Sequence, residues 1–320
     1  MKAPIRTDAF GGSIEINMWI NKQKKSRFAI VVVGTNSYLP AINGIINGLD
    51  YYGNKVDLHF IHDKLPEEYL KEIESSDLNY RLVLQDFSEQ EKLMLKEYPG
   101  IANNIFQRWT YLRYWYLAKI KDEYQATAML DGDSIVVNNI TPWFEFVSGT
   151  DYLLTTYHIF GSFELENYNE DNIHFVQPVF NHPLICDPKK WSDIFHFMLK
   201  REEIHHEPDM FCLNKSLLLN KRIDKVIPLL DCRWVGGYIW VSPLRKVNLG
   251  GKDYLIGIPQ MFRMNVLHGK WWGRGFRENQ INGAASGNKE TMRNNLKMIY
   301  ELYKKLNEKH KVKFPLPEEF

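Results

Sequence analysis

The stretch Ala128-Met129-Leu130-Asp131-Gly132-Asp133-Ser134-Ile135-Val136-Val137 places two carboxylates, separated by one glycine, between two apolar runs. In an extended chain side chains alternate between faces, so Asp131 and Asp133 would project to the same side. Paired carboxylates at a strand end suit a hard divalent cation, which prefers oxygen ligands and can also hold phosphates. Gly132 would let backbone or a ligand approach closely. The alternative interpretation is an ordinary turn, since Asp-Gly is a common turn dipeptide.

The segment upstream of this stretch has the pattern of a strand, a helix and a second strand. Phe28 to Val33 is a continuous apolar run, typical of a strand that is buried on both faces. The polar turn 34–38 leads into apolar residues at helical spacing from Leu39 to Leu49, and 55–63 alternates as a second strand. The pattern predicts a βαβ unit, whose first strand-to-helix turn is where such sheets bind ligands.

The remaining chain continues this alternation and then becomes less regular. We predict helices near 66–73, 105–120, 189–200 and 209–219, strands near 80–84, 152–156, 226–230 and 237–241, and a C-terminal helix carrying Met292 to Leu306. A strand at 175–187 should be bent or lie at a sheet edge, because it contains Pro178 and Pro183. Residues 1–27 are polar and basic, which indicates a loosely ordered lead-in. No break in composition divides 28–320, so we predict one domain there.

The composition argues against several classes of protein. The 320 residues are 44% hydrophobic, and 40 Lys plus Arg nearly balance 39 Asp plus Glu, which argues against nucleic acid as a partner. Met1 to Lys25 lacks the apolar core of a signal peptide, and no early run approaches the ~20 residues of a membrane span. The three cysteines have no CxxC spacing, so neither a disulfide framework nor a zinc module is predicted. We expect a soluble protein of a reducing compartment, the cytoplasm.

Six short motifs occur in a fixed order over about residues 28–275. They are the turn with Thr35, Ser37 and Tyr38; Trp109-Thr-Tyr-Leu-Arg113-Tyr; Leu130-Asp-Gly-Asp133; Phe180-Asn181-His182-Pro183 followed by Lys190-Trp191; Pro208-Asp209-Met-Phe-Cys-Leu-Asn214; and His268-Gly269-Lys270-Trp271. The series resembles GT-A glycosyltransferases, and more narrowly glycosyltransferase family 8, the group of glycogenin and bacterial galactosyltransferases. Pro183, Met210 and the compressed spacing after His268 depart from that family's pattern.

The resemblance implies a role for each matching residue. Thr35, Ser37 and Tyr38 would hold uracil and ribose, and Arg113 would reach the donor sugar and diphosphate. Asp131, Asp133 and His268 would bind the metal, with Gly132 against the donor and either Lys270 or Arg274 gripping the diphosphate. Asn181 and Asp209 would act at the donor sugar. The family has an amide side chain at the position of Met210, and Gln177 would replace that amide.

Three of these residues also have ordinary structural explanations. Arg113 would otherwise be a surface residue whose stem covers its helix, and His268 a structural or surface histidine. Asp209 would favour the dipole at a helix N-terminus, a role compatible with sugar binding.

The resemblance predicts an α/β fold of the GT-A type: a Rossmann-like nucleotide-binding half (28–150) with a mixed central sheet, a half for acceptor and donor sugar (151–285), and a C-terminal helix and tail (286–320). The implied reaction is metal-dependent transfer, with retention of configuration, from a UDP-sugar to a glycan, polysaccharide or glycolipid. Two carboxylates and one imidazole suit Mn²⁺, and Mg²⁺ could substitute. Lys309, Lys311 and Lys313 could bring the basic tail to a membrane surface, or could simply be cations at a helix C-terminus.

Three other classes remain as alternatives. A sugar nucleotidyltransferase shares the architecture but usually has a glycine-rich basic loop, which 34–38 lacks. An inverting GT-A transferase would use a similar metal site. A non-catalytic sugar-binding module is disfavoured, because both Asp131 and Asp133 are present together with His268.

Overall fold

The computed structural model describes residues 6–7, 13–14, 18–104, 107–157, 169, 179–229, 232–234, 244–257, 262–263, 266–268, 274–284, 288–309 and 312. The strands of this part are β1 Arg6–Thr7, β2 Ser13–Ile14, β3 Met18–Ile20, β4 Phe28–Gly34, β5 Asp57–His62, β6 Leu82–Asp86, β7 Ala126–Asp131, β8 Ser134–Val136, β9 Leu153–Tyr157, β10 Val179–Cys186, β11 Val226–Pro228, β12 Cys232–Trp234, β13 Leu244–Leu249, β14 Lys252–Gly257, β15 Phe262–Arg263 and β16 Val266–His268. The α-helices are α1 Leu39–Tyr51, α2 Glu67–Ser75, α3 Phe87–Glu97, α4 Arg108–Lys119, α5 Thr141–Val147, α6 Pro188–Leu199, α7 Asp209–Leu219, α8 Arg274–Gly283 and α9 Lys289–Lys309.

A central eight-stranded sheet has the order β11-β9-β10-β7-β4-β5-β6-β3. Strands β7, β4, β5 and β6 are mutually parallel, whereas β10 runs antiparallel to both β7 and β9. The predicted mixed α/β architecture is therefore confirmed. A smaller sheet has the order β12-β16-β8, and its strand β8 follows the Asp-Gly-Asp stretch directly.

Strand β4 is apolar throughout because helices cover both faces of the sheet. Its alternate residues enter different cores: Ile30 and Val32 pack with the α1 residues Ile42 and Ile45, and Val31 packs with residues of α4 and α6. The predicted βαβ unit is confirmed. Helix α9 packs in a third cluster that includes Ala41 of α1 and the β8 residue Ile135.

Several predicted elements need correction. The lead-in contains β3, which extends the central sheet by pairing with β6. Helices α3 and α5 were not predicted. Strand β10 lies between β7 and β9 and not at an edge, but it is irregular: its register with β9 shifts between Val179 and Leu184, the stretch that contains Pro183. A bulge accommodates a proline inside a sheet because the ladder is already interrupted there.

Two predictions near the C-terminal end fall outside the described part. The strand at 237–241 lies there, and so do most residues of the basic tail after Lys309, on which the membrane-surface prediction rests. Among the described helices, none combines the length and apolar character needed to span a bilayer.

Candidate functional site

The carboxyl ends of the four parallel strands β4, β5, β6 and β7 lie along the same side of the central sheet, here called its carboxyl edge. The strand register pairs Val33 with Asp131, Gly34 with His62, and His62 with Asp86. Open α/β sheets bind ligands at this edge, where strands end and loops to the next helices begin. The turn with Thr35, Ser37 and Tyr38 and the Asp-Gly-Asp stretch therefore lie side by side.

The Asp-Gly-Asp stretch is a turn and not an extended segment. Strand β7 ends at Asp131, the chain turns at 132–133, and β8 starts at Ser134 in the other sheet. The expectation of an extended chain here is therefore wrong, and the two carboxylates stand on either side of a reversal. Asp133 is only 8% exposed, so its carboxylate is held in a protected position.

Gly132 sits where two other segments approach the turn. A Cβ atom at this position would lie 3.2 Å from the backbone oxygen of Val33 and 3.4 Å from Cδ1 of Tyr38. The predicted close approach of backbone at Gly132 is confirmed, and the approaching segment is the end of β4.

The turn between β4 and α1 contacts the Asp-Gly-Asp turn through Tyr38. Burial raises the pKa of the Tyr38 hydroxyl, and the negative charge of Asp133 raises it further. Within the same turn the hydroxyls of Thr35 and Ser37 share a hydrogen bond of 2.8 Å, and Ser37 is exposed. These two hydroxyls therefore lie at the open side of the strand ends.

Arg113 is buried at the centre of the site. Its side chain is 6% exposed; Nη1 donates to Asp131 Oδ1, and Nη2 lies 3.6 Å from Asp209 Oδ2. The surface interpretation of Arg113 is therefore wrong, and its guanidinium lies near the carboxylates of both Asp131 and Asp209. A buried guanidinium between two carboxylates holds both in fixed positions.

Helix α7 begins at Asp209, which is 6% exposed, and Tyr114 donates a hydrogen bond of 3.3 Å to its Oδ2. One turn earlier on α4, the Tyr111 hydroxyl donates to the Glu207 carbonyl at 2.7 Å. Helix α4 thus fixes the start of α7 with two tyrosines and one arginine. The carboxylate also lies in the first turn of a helix, where the dipole favours negative charge.

The side chain of Asn214, a part of the Asp209 motif, fixes β10. It accepts a hydrogen bond from the Val179 N–H at 3.0 Å and donates to the Val179 carbonyl at 2.7 Å. The amide thereby satisfies both backbone groups of Val179 where β10 is irregular.

His182 is the site residue that the sequence prediction missed. It is 2% exposed; its Nδ1 accepts from the Asp131 N–H at 2.9 Å, and its Nε2 lies 3.0 Å from Ser134 Oγ. The sequence analysis of Phe180-Asn181-His182-Pro183 singled out Asn181 and Pro183, and no local pattern in it indicates a contact of His182 with β7.

The structure leaves several predicted residues without a described side chain. Gln177 and Lys270 lie outside the described residues, and of Asn181 and His268 only the backbone is described. The β8–β16 register pairs His268 with Ser134, the residue after Asp133. Arg274 is the first residue of α8 and is exposed. Among the described side chains, which do not include the His268 imidazole, no group of three His, Cys, Asp or Glu residues could hold a metal.

Several solved structures of glycosyltransferases have a similar architecture. The apo structure of the bifunctional glycosyltransferase WbbM covers 87% of this chain at 14% identity, with a TM-score of 0.53. The galactosyltransferase LgtC, in complex with donor and acceptor sugar analogs, covers 87% at 13% identity, with a TM-score of 0.50. An active-site mutant of LgtC covers 91% at 14% identity, with a TM-score of 0.52. The match extends over 95% and 98% of the two LgtC chains.

The chain spans about half the length of other matched structures, 52% of WbbM and 47% of the glycosyltransferase GlyE of Streptococcus pneumoniae TIGR4 (67% of this chain, 19% identity, TM-score 0.44). No protein-family model matches the sequence, and no curated protein matches it significantly. The WbbM and LgtC matches show that the chain has the GT-A fold.

Proposed function

We propose that this chain is a metal-dependent glycosyltransferase of the family 8 type, which transfers a sugar from a UDP-sugar to a glycan, polysaccharide or glycolipid with retention of configuration. The observation that carries the proposal is the meeting of Arg113, Asp131 and Asp209 at the carboxyl edge of the parallel strands. In the reaction the bond from the anomeric carbon to the diphosphate breaks, a bond to the acceptor oxygen forms, and UDP and a proton are released.

We infer that the residue types at the turn would suit a divalent cation. Asp131 and Asp133 flank Gly132 at the sheet edge, and the backbone register brings His268 opposite Ser134. Two carboxylates and an imidazole would hold Mn²⁺, with Mg²⁺ as a substitute. When bound, the cation would neutralise the departing diphosphate and act as a Lewis acid.

The other residues of the site would bind and orient the donor. The turn carrying Thr35, Ser37 and Tyr38 would hold the nucleoside, since it lies at the end of β4 against Gly132. Arg113 would exchange part of its contact with Asp131 for the donor, which adds a fixed cation beside the leaving group. Lys270 or Arg274 would contribute a second cation.

The buried Asp209 carboxylate would accept hydrogen bonds from hydroxyls of the donor sugar. Its position is fixed by Tyr114 and Arg113, so the carboxylate can orient a ring without reorganising. Asn181 would contact the same sugar. Gln177 would supply a side-chain amide, which Met210 does not have. The complex of LgtC with donor and acceptor sugar analogs supports a sugar donor and a sugar acceptor for a chain of this fold.

A donor panel tests the proposal. The purified chain is incubated with Mn²⁺ and single UDP-, GDP-, CMP- and TDP-sugars, and slow hydrolysis to nucleotide and free sugar is measured by chromatography. We expect one UDP-sugar to be cleaved, and initial release of the same anomer as in the donor. Cleavage of no nucleotide sugar, or formation of a nucleotide sugar from a nucleoside triphosphate and a sugar phosphate, would contradict the proposal.

A further inference from the structure

Hydrogen bonds from neighbouring elements hold the irregular part of β10 at Val179 and at His182. On one side Asn214 pairs with both backbone groups of Val179. At His182 itself, the Thr156 hydroxyl of β9 donates a hydrogen bond of 2.7 Å to the backbone carbonyl. The backbone of His182 is therefore held between two neighbouring elements, and its imidazole is directed at the adjacent strand β7.

The imidazole connects the two ends of the Asp-Gly-Asp turn. Nδ1 accepts the hydrogen bond from the Asp131 N–H, so this nitrogen carries a lone pair and the ring proton is on Nε2. Nε2–H then donates to Ser134 Oγ, 3.0 Å away. One buried ring thus links the residue before Gly132 to the residue after Asp133.

Both links are made by the His182 side chain and not by its backbone. Strand β10 pairs with β7 through 184–186, whereas His182 lies before these paired residues and reaches β7 with its side chain. The Asp131 N–H would be left without this partner if the imidazole were removed. Loss of the acceptor costs about 1–3 kcal/mol for a fully buried N–H and less for this part-buried one, so the local turn would be expected to rearrange.

We propose that His182 is a positioning residue for the cation site, a role that rests on the proposed function. By fixing the backbone at Asp131 and the side chain at Ser134, it presets the separation of the carboxylates of Asp131 and Asp133. Residues that orient metal ligands without touching the metal typically change metal affinity about 10–100-fold when they are removed.

A packing role alone makes a different prediction. If His182 only fills space, its replacement lowers stability but leaves the separation of the two carboxylates, and hence cation affinity, unchanged. Stability and cation affinity must therefore be measured separately. His59 is a suitable control, because it is a buried histidine with two hydrogen bonds, to Tyr116 and Tyr124, on a different strand.

The test measures Mn²⁺ binding in the presence of UDP by the electron paramagnetic resonance signal of free Mn²⁺, without turnover. His182→Ala should weaken Mn²⁺ binding about 10–100-fold. His182→Asn retains an acceptor for the Asp131 N–H and should recover part of the affinity, and Ser134→Ala should have a smaller effect than His182→Ala. His59→Ala should leave Mn²⁺ affinity unchanged while lowering the unfolding midpoint.

Hydrogen exchange at the Asp131 amide gives a second readout that needs no metal. This amide should be protected in the unaltered protein and in His182→Asn, and should exchange faster in His182→Ala. Unchanged Mn²⁺ affinity and unchanged exchange in His182→Ala, with normal binding by the unaltered protein, would overturn the positioning role alone. Absence of Mn²⁺ binding by the unaltered protein would overturn the proposed function, and the positioning role with it.

Discussion

Arg113 lies beside Asp209, with Nη2 of the guanidinium 3.6 Å from Oδ2 of the carboxylate, although the two residues are on different helices. The same guanidinium donates to Asp131 at the end of β7. Helix α4 therefore joins the two parts of the site, the proposed cation turn and the proposed sugar-binding acid, through one buried side chain.

Replacing Arg113 by methionine should abolish this connection. We expect nucleotide-sugar hydrolysis to fall about 10²–10³-fold, because a fixed cation beside the leaving group is lost. Arg113→Lys should recover little, since one ammonium cannot reproduce a planar guanidinium that contacts two carboxylates. The measurement is the rate of UDP release at saturating Mn²⁺.

The matched control is Arg108→Met on the same helix. Arg108 pairs with Glu91 and the Ala102 carbonyl, away from the Asp131 and Asp209 carboxylates. Equal losses of UDP release in the two variants would mean that Arg113 supports the helix and not the reaction.

Gly48 should be intolerant of alanine. Alanine in a helix interior usually stabilises by about 1 kcal/mol relative to glycine. Here a Cβ atom would lie 2.2 Å from the backbone oxygen of Val136, so α1 and β8 would have to separate. We expect a loss of about 1–3 kcal/mol in the free energy of unfolding, measured in urea.

Gly275→Ala is the control for this substitution. Gly275 is in α8, and a Cβ atom added there would meet nothing within 4 Å, so alanine should be neutral or stabilising. Since β8 begins directly after Asp133, Gly48→Ala should also weaken UDP binding, whereas Gly275→Ala should not. A Gly48→Ala protein as stable as the unaltered chain would show that α1 does not pack on β8 as described.

His59 should make stability depend on pH. Burial, with smaller effects from the positive charges of Arg81 and Lys25, lowers its pKa to about 3, whereas the unfolded value is 6.5. Between these values the unfolded chain binds one more proton than the folded chain. Stability contributed by neutral His59 is therefore complete above pH 6.5 and is lost as the pH falls, by about 1.4 kcal/mol for each pH unit.

The check is urea unfolding of the unaltered chain and of His59→Gln at several pH values from 7.5 to 5. Burial raises the pKa of the neighbouring Asp57, which affects both proteins and is removed by taking their difference. We expect the difference in unfolding free energy to change below pH 6.5 and to be constant above it. A difference in unfolding free energy that stays constant from pH 7.5 to 5 would contradict a neutral, buried His59.

The sequence predicted those parts of the fold that local patterns determine. The apolar run of β4, the helical spacing of α1 and the βαβ order follow from periodicity, and the resemblance assigned Arg113 and Asp131 to one site. Helix α3 was also predictable: Asp86 accepts from the Glu89 N–H, an N-cap that is visible in Asp86-Phe-Ser-Glu89.

Other features depend on contacts between distant residues. That β10 is an interior strand follows from its partners on both sides, and no local pattern encodes them. The same holds for β8, which leaves the main sheet to pair with β16. The proposed role of His182 depends on its contacts with Asp131 and Ser134, which are distant in sequence, so this role could not be predicted before the fold was known.

The most direct test of the cation site is thermal unfolding with Mn²⁺ and the UDP-sugar that the donor panel identifies. At a ligand concentration 100 times Kd, the unaltered chain should gain about 2.7 kcal/mol and a higher midpoint. Asp133→Ala should show no gain, and Asp151→Ala, at an exposed aspartate, should retain it. Equal stabilisation of Asp133→Ala and the unaltered chain, or no stabilisation of either, would contradict a cation site at Asp131-Gly132-Asp133.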